Sequence, residues 1–418
     1  MSTSRRHFLV STAAGLGALA VPKASFAAPA EQRFLLVVFA RGAWDVTYCL
    51  DPKAPPGCDV PAGEVTTYPA GLRVLTSSER PSIRAFFDAH ASRAAIVNGI
   101  WIGSVAHVPA RVRILTGTRS ERNPDVAAIF AAEAAGKQPA LALPYVDLGG
   151  GAYAGPLASF MGRVGNTNQL VTLLNRAKAF RGAPKGKAQP GFEFTGEEQA
   201  ALAKFVAGRA DAARAGKTGP EAQVLEGFRT SLDRAEALRR DPQLRAMAVG
   251  TATSLAQQGE LAVAMFRGGV AAAAFLDSRL DWDTHDAIAD QGTAHEQLFA
   301  ELGTIARKLD EAGLLARTTV AVLSEFTRTP KLNSQPEPGK DHWPLTSALV
   351  FGGGVRPGVY GATDEKLGAM RVRMDDGKPS DGGRLLQFDN FAAGLLEHLA
   401  VSSRRWIANA EPFRGPFA

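Results

Sequence analysis

The feature that most limits the fold is a continuous apolar run, Phe34–Ala40 (FLLVVFA), that stops abruptly at Arg41-Gly42. Such a run has no polar face to offer water. A strand made of it must be covered on both sides, as in a parallel sheet with helices on its two faces. Similar short runs recur at Ala94–Asn98, Tyr145–Leu148, Gly269–Leu276, Thr318–Ser324 and Ser347–Phe351. Helical patterns lie between them. The clearest is Thr293–Ala312, with Leu298, Leu302, Ile305 and Leu309 on one face and Glu301, Arg307, Lys308 and Glu311 elsewhere; Phe388–Leu399 is another. This alternation predicts an α/β fold, a three-layer sandwich around a large, mostly parallel sheet. An apolar content of 45% supplies the core that such a fold needs.

The first residues do not fit that pattern. Ser4-Arg5-Arg6-His7-Phe8-Leu9 is followed by a weakly apolar stretch, Val10–Val21, then Lys23 and the small residues of Ser25-Phe26-Ala27. The apolar stretch is too short to span a bilayer, which takes about 20 residues. It has the length of a signal peptide, and the paired arginines point to the twin-arginine route. Residues 1–27 are therefore expected to be a leader read by the twin-arginine export machinery. The folded domain is expected over residues 31–418, periplasmic or secreted, without a stable membrane span. Arg5, Arg6 and Lys23 account for three charges of the formal +6, with no acid among residues 1–27 to offset them, which leaves +3. No basic stripe interleaves with aromatics, so nucleic acid is not an expected partner.

Residues 160–265 are Ala-rich and charged, with no strand pattern before Gly269, a Gly/Lys/Pro loop at Gly182–Pro190, and helical patterns at Thr195–Ala215 and Pro220–Arg240. They are expected to form a helical insertion or cap. Cys49 and Cys58 flank a short Pro-rich loop, and an oxidising compartment favours a disulfide between them.

Chemistry is expected where strands end, because loops there are held by a rigid scaffold. Arg41-Gly42-Ala43-Trp44-Asp45 follows the first strand, Asp281-Trp282-Asp283-Thr284-His285 follows the run ending at Leu276, and Glu325-Phe326-Thr327-Arg328 follows Ser324. Lys340-Asp341-His342-Trp343-Pro344 precedes the next strand. If Asp45, Asp283, Glu325 and Asp341 converge, a divalent cation would relieve their repulsion. His285 and His342 add imidazole ligands, which suit zinc, manganese or iron better than calcium; zinc or manganese is the expected ion, with calcium or magnesium as alternatives. Each residue also has a plain reading, a helix cap for an aspartate or a hydrogen-bonded core position for a histidine. His295, on the apolar face of its helix, is expected to be of the latter kind. In His107-Val108-Pro109-Ala110-Arg111, leading to Leu115-Thr116-Gly117, a helix start could hold an anion through Arg111. The same residues also read as an ordinary helix with Pro109 in its first turn and Gly117 as its stop.

The order Arg-Gly-x-x-Asp, Trp-Asp-Thr-His, Ser-Glu-Phe-x-Arg-Thr, x-Asp-His-Trp-Pro and Gly-Gly-Gly-Val resembles the bacterial family catalogued as domain of unknown function 1501. That family looks like a branch of the alkaline phosphatase and sulfatase superfamily. The resemblance implies an alkaline phosphatase-like α/β sheet and one or two divalent metals. It would make Asp45 the metal aspartate after the first strand, Asp283 and His285 the Asp/His pair of a later loop, Glu325 the acid of the strand-end Asp-His pair, and His342 the final histidine ligand. His107–Gly117 is similar to the sulfatase signature. Two departures matter. His107 stands where those enzymes carry a Ser, Thr or Cys nucleophile, and Phe326 stands where they carry a ligating His.

The expected function is thus an exported metal-binding protein, a phosphate- or sulfate-ester hydrolase with an anionic ester substrate. His107 would be nucleophile or general base, with Arg111 and Arg328 holding the anion. The alternative is a non-hydrolytic binding or assembly protein that keeps the scaffold. Gly149–Gly151 and Gly352–Gly354 do not form the fingerprint of a dinucleotide site.

Overall fold

The computed structural model describes residues 32–137, 141–163, 195–240 and 254–417. The expected leader and part of the 160–265 region lie outside them. The centre of the fold is an eight-stranded sheet. In chain order its strands are β1 (Phe34–Phe39), β2 (Ala94–Trp101), β3 (Tyr145–Asp147), β4 (Met161–Arg163), β5 (Ala273–Asp277), β6 (Thr318–Leu323), β7 (Leu345–Gly352) and β8 (Gly358–Gly361). They lie side by side as β8-β2-β7-β6-β1-β5-β3-β4. All neighbours are parallel except β7, which runs against both β2 and β6. The sheet is the mostly parallel one that the apolar runs predict.

Every residue of β1 is buried. Alternate side chains feed two cores, which is why the run needs no polar position. Phe34, Leu36 and Val38 pack with Phe266, Leu298, Leu302 and Ile305. These come from α6 (Leu255–Arg267) and α7 (Asp290–Glu311), and α1 (Pro81–His90) joins that face through Phe86 and Phe87. Leu35, Val37 and Phe39 pack with Ile114, Phe130 and Leu395, on α2 (His107–Thr116), α3 (Val126–Lys137) and α8 (Phe388–His398). Burying each such side chain contributes about 1.5–3 kcal/mol. The helices α4 (Gly196–Arg214) and α5 (Gly219–Arg240) pack on each other, and α5 leans on Gly155–Phe160. No helix among the described residues is long and apolar enough to cross a membrane.

Two expectations are corrected here. Met161–Arg163 is an edge strand, although no strand was expected between residues 160 and 265. Three residues are too few to show a period; the ladder to β3 and the ion pair of Arg163 with Asp147 supply the order. Cys49 and Cys58 are free and buried. Cys58 Sγ donates to the Glu365 carbonyl at 3.3 Å. Burial pushes the Cys49 thiol well above its ordinary range and the Cys58 thiol up to about 11, so both are packed as neutral thiols.

The topology explains why distant loops meet. β1, β2, β5 and β6 all end at the same rim of the sheet, so the loops after residues 39, 101, 277 and 323 open there. Because β7 is reversed, its start lies at that rim too, and it brings Lys340–Pro344 in beside them.

Candidate metal centre

His107 is the first residue of α2. Its Nδ1 lies 2.9 Å from Glu325 Oε1, and its Nε2 lies 3.3 Å from Asp283 Oδ2. Gly117, in the left-handed region at φ 66°, ends the helix as expected, its N–H donating to the Arg113 carbonyl. Glu325 is fully buried just past β6 and also accepts the Gly42 N–H at 3.0 Å. The Thr327–Arg328 and His342–Trp343 pairs form a short antiparallel ladder that sets His342 opposite Arg328.

Asp283 is the hub. Its Oδ1 accepts from Arg328 Nη2 at 2.7 Å and lies 3.1 Å from His342 Nε2 and 3.2 Å from His285 Nε2. The two imidazole Nε2 atoms are themselves 2.9 Å apart. Their protons can be placed from their outer partners. His342 Nδ1 faces the Val105 carbonyl at 2.7 Å and His285 Nδ1 faces Asp341 Oδ1 at 3.0 Å. A carbonyl and a carboxylate only accept, so each Nδ1 carries the proton and each Nε2 presents a lone pair. Burial pulls the His342 pKa below its ordinary value, in the direction of the neutral ring. Burial also works against ionisation of Asp283, but the hydrogen bond and charge of Arg328 hold its carboxyl at about 2. Two nitrogen lone pairs and one carboxylate oxygen therefore meet on a triangle with edges of 2.9–3.2 Å.

Such a triangle repels itself unless something positive stands over it. Tetrahedral ligands about 2.1 Å from one ion lie about 3.4 Å apart, close to these edges. His107, Asp283 and His342 also each offer a ligand atom within 4.8 Å of one another. A His/Asp/His group of this kind could bind a divalent metal, and imidazole-rich donors suit a borderline ion. Asp341 completes the arrangement as the acid that orients His285.

A family model described as "Protein of unknown function (DUF1501)" matches residues 76–376. The chain belongs to the DUF1501 family. No curated protein matches it. Among solved structures, a protein in the alkaline phosphatase superfamily from Vibrio parahaemolyticus is similar with a TM-score of 0.39 and 10% identity, over 93% of this chain and 71% of that one. The lipoteichoic acid synthase LtaP from Listeria monocytogenes gives 0.38 and 9%, over 98% and 80%. A phosphonate monoester hydrolase from Silicibacter pomeroyi gives 0.35 and 11%, over 91% and 78%. At such scores the chemistry of the DUF1501 chain must be argued from its own residues.

Those residues divide into three groups. Asp283, His285, His342 and Asp341 come together as described, with His107 and Glu325 beside them. Asp45 stands apart from the triangle. Its Oδ1 accepts the N–H and hydroxyl of Thr47, at 2.9 and 2.7 Å, and its Oδ2 faces Lys340 Nζ at 2.7 Å, so both of its oxygens are engaged. The third group holds the arginines. Arg328 was expected to grip an anion, but it is fully buried. Its guanidinium donates to the carbonyls of Gly42, Ala43, Trp282 and Lys340 and to Asp283. It clamps three site loops together from a position closed to solvent. Arg111, one turn after His107, donates from Nε to the Tyr153 hydroxyl at 2.9 Å and makes no ion pair among the described residues.

Lys340 and Gln291 were not singled out in the sequence, and both are central. Gln291 accepts the Asp45 N–H and donates to the Trp282 carbonyl and the Thr284 hydroxyl. A buried Gln on an otherwise apolar helix face was the available signal. Phe326 is fully buried, with its ring centroid 5.0 Å from that of His107 and 4.5 Å from that of His342. It is an apolar wall against both imidazoles. His295 is a core residue as expected, donating from Nδ1 to the Gln291 carbonyl and stacking on Trp44 and Tyr48.

Proposed function

We propose that this chain is an exported metal-dependent hydrolase of phosphate or sulfate esters, with Asp283, His285 and His342 as the metal ligands. The observation that carries the reading is the convergence of the two Nε2 lone pairs and Asp283 Oδ1. A zinc or manganese ion there would polarise an ester oxygen and neutralise developing charge.

The chain's own residues would do the rest. Glu325 Oε1 accepts the His107 Nδ1–H and leaves Nε2 facing the centre. That hydrogen bond also raises the His107 pKa, which suits a group that takes a proton during the reaction. His107 Nε2 would accept the proton of an attacking water, and Glu325 would steady the imidazolium, the pairing familiar from histidine bases held by a buried acid. Arg111 would hold the anionic oxygens with its free Nη groups. Phe326 would keep bulk water off the reacting face. Residues 160–265 would serve as a cap that shapes the pocket, within a single domain over residues 31–418.

Protein purified from its native compartment should carry a divalent metal and cleave synthetic phosphate or sulfate esters. Activity should vanish with a chelator and return with zinc or manganese. His107→Ala should lower kcat by about 100-fold or more while leaving the metal content unchanged. A metal-free protein, or a metal-loaded one inert to a broad ester panel, would sink the reading.

The second reading, a non-hydrolytic assembly protein on the same scaffold, is favoured by Phe205 on α4 and Val224 on α5, which are 65% and 73% exposed. Under it, polar substitutions at these positions abolish the biological phenotype and His107→Ala does not.

A further inference from the structure

We infer that Lys340 is a built-in cation that takes the place of a second metal ion at Asp45, so that the centre holds one divalent ion and not two. The inference rests on the metal-centre reading above. Asp45 and Lys340 are the most deeply buried ion pair at the rim, with side chains 0% and 1% exposed and a separation of 2.7 Å. A buried carboxylate without a compensating charge is strongly unfavourable, so something positive must stand there. The ammonium does so permanently, because the lysine is tied in at its backbone. Its N–H donates to the Thr284 carbonyl and its carbonyl accepts from Arg328, both in loops of the centre.

The hydrogen bonds of Asp45 point the same way, since Thr47 and Lys340 already use both of its oxygens.

The test is metal counting and thermal melting on three proteins, with Zn²⁺ or Mn²⁺ as the probe. Wild type should hold one ion per chain. Lys340→Ala leaves Asp45 exposed to a vacated niche; it should take up a second ion and gain a metal-dependent rise in Tm of several degrees beyond any seen in wild type. The double variant D45N/K340M removes the acid and the ammonium together and should return to one ion without that extra rise. Two ions in wild type overturn the inference while leaving the metal centre standing. So does a Lys340→Ala protein that stays at one ion with no added metal dependence. If Lys340→Ala does not fold, the wild-type count decides, one ion supporting and two overturning. A wild type with no ion defeats the metal-centre reading instead, and the extra metal-dependent Tm of Lys340→Ala then still decides on Lys340.

Discussion

Arg328→Met should destabilise the protein by about 3–5 kcal/mol, the usual effect of removing one partner from a buried charged network. The side chain is 0% exposed, and its guanidinium bridges four loop carbonyls and Asp283. Methionine fills much of the volume but leaves the carbonyls of Gly42, Ala43, Trp282 and Lys340 without their shared donor, inside a space that excludes water. Each such orphaned group costs about 1–3 kcal/mol, and relaxation recovers part of the sum. Arg328→Lys should be only partly restorative, because a single ammonium cannot reproduce the planar fork. Urea unfolding of the three proteins checks this. A variant within 1 kcal/mol of wild type would show that the clamp is not needed, by the ordinary scale of surface substitutions of about ±0.5 kcal/mol. The Asp283 carboxyl should also lose its depression, since Arg328 is the principal group opposing the effect of its burial.

That role of Arg328 marks the limit of what the sequence discloses. Strand-end motifs are legible because an apolar run such as Phe34–Phe39 announces both a buried strand and the loop that follows it. The candidate ligands Asp283, His285 and His342 follow from that logic. The identity of each partner does not. Asp45 and Asp283 look alike in sequence, an acid shortly after a strand. They differ because Lys340, 295 positions away, reaches Asp45 and not Asp283. Arg328 reads as an exposed anion grip until the reversed strand β7 lays Lys340–Pro344 over it. The protonation pattern of His285 and His342 is equally hidden, since it depends on one backbone carbonyl at Val105 and one acid at Asp341. The edge strand Met161–Arg163 escapes because its order is lent by a neighbour and not by its own periodicity.

The stability of His295→Gln should cross that of wild type as the solution is acidified. His295 is fully buried, its ring stacked between aromatics, and burial holds its pKa down at about 4 against an ordinary value of 6.5. The sign follows from proton counting. Above pH 6.5 neither the folded nor the unfolded chain protonates this ring, and its packing contributes fully. Between about 6.5 and 4 the unfolded chain binds a proton that the folded chain refuses, so stability falls by about 1.4 kcal/mol per pH unit, or about 3 kcal/mol in all. Other groups act in the same window. His398, also held at about 4 by burial, adds to the loss. Asp125 opposes it, because burial raises its carboxyl to about 7, so its contribution is present at low pH and lost as the pH rises. The whole-protein curve therefore mixes signs, and the difference between wild type and variant isolates one ring. His295→Gln keeps a donor for the Gln291 carbonyl but loses ring packing, and should be about 1–2 kcal/mol less stable than wild type at pH 7.5. It binds no proton in either state, so the gap should close between about pH 5.8 and 5 and reverse by pH 4.5. Parallel curves for the two proteins from pH 7.5 to 4.5, in chemical unfolding followed by fluorescence, would show that the ring is not held neutral by its surroundings.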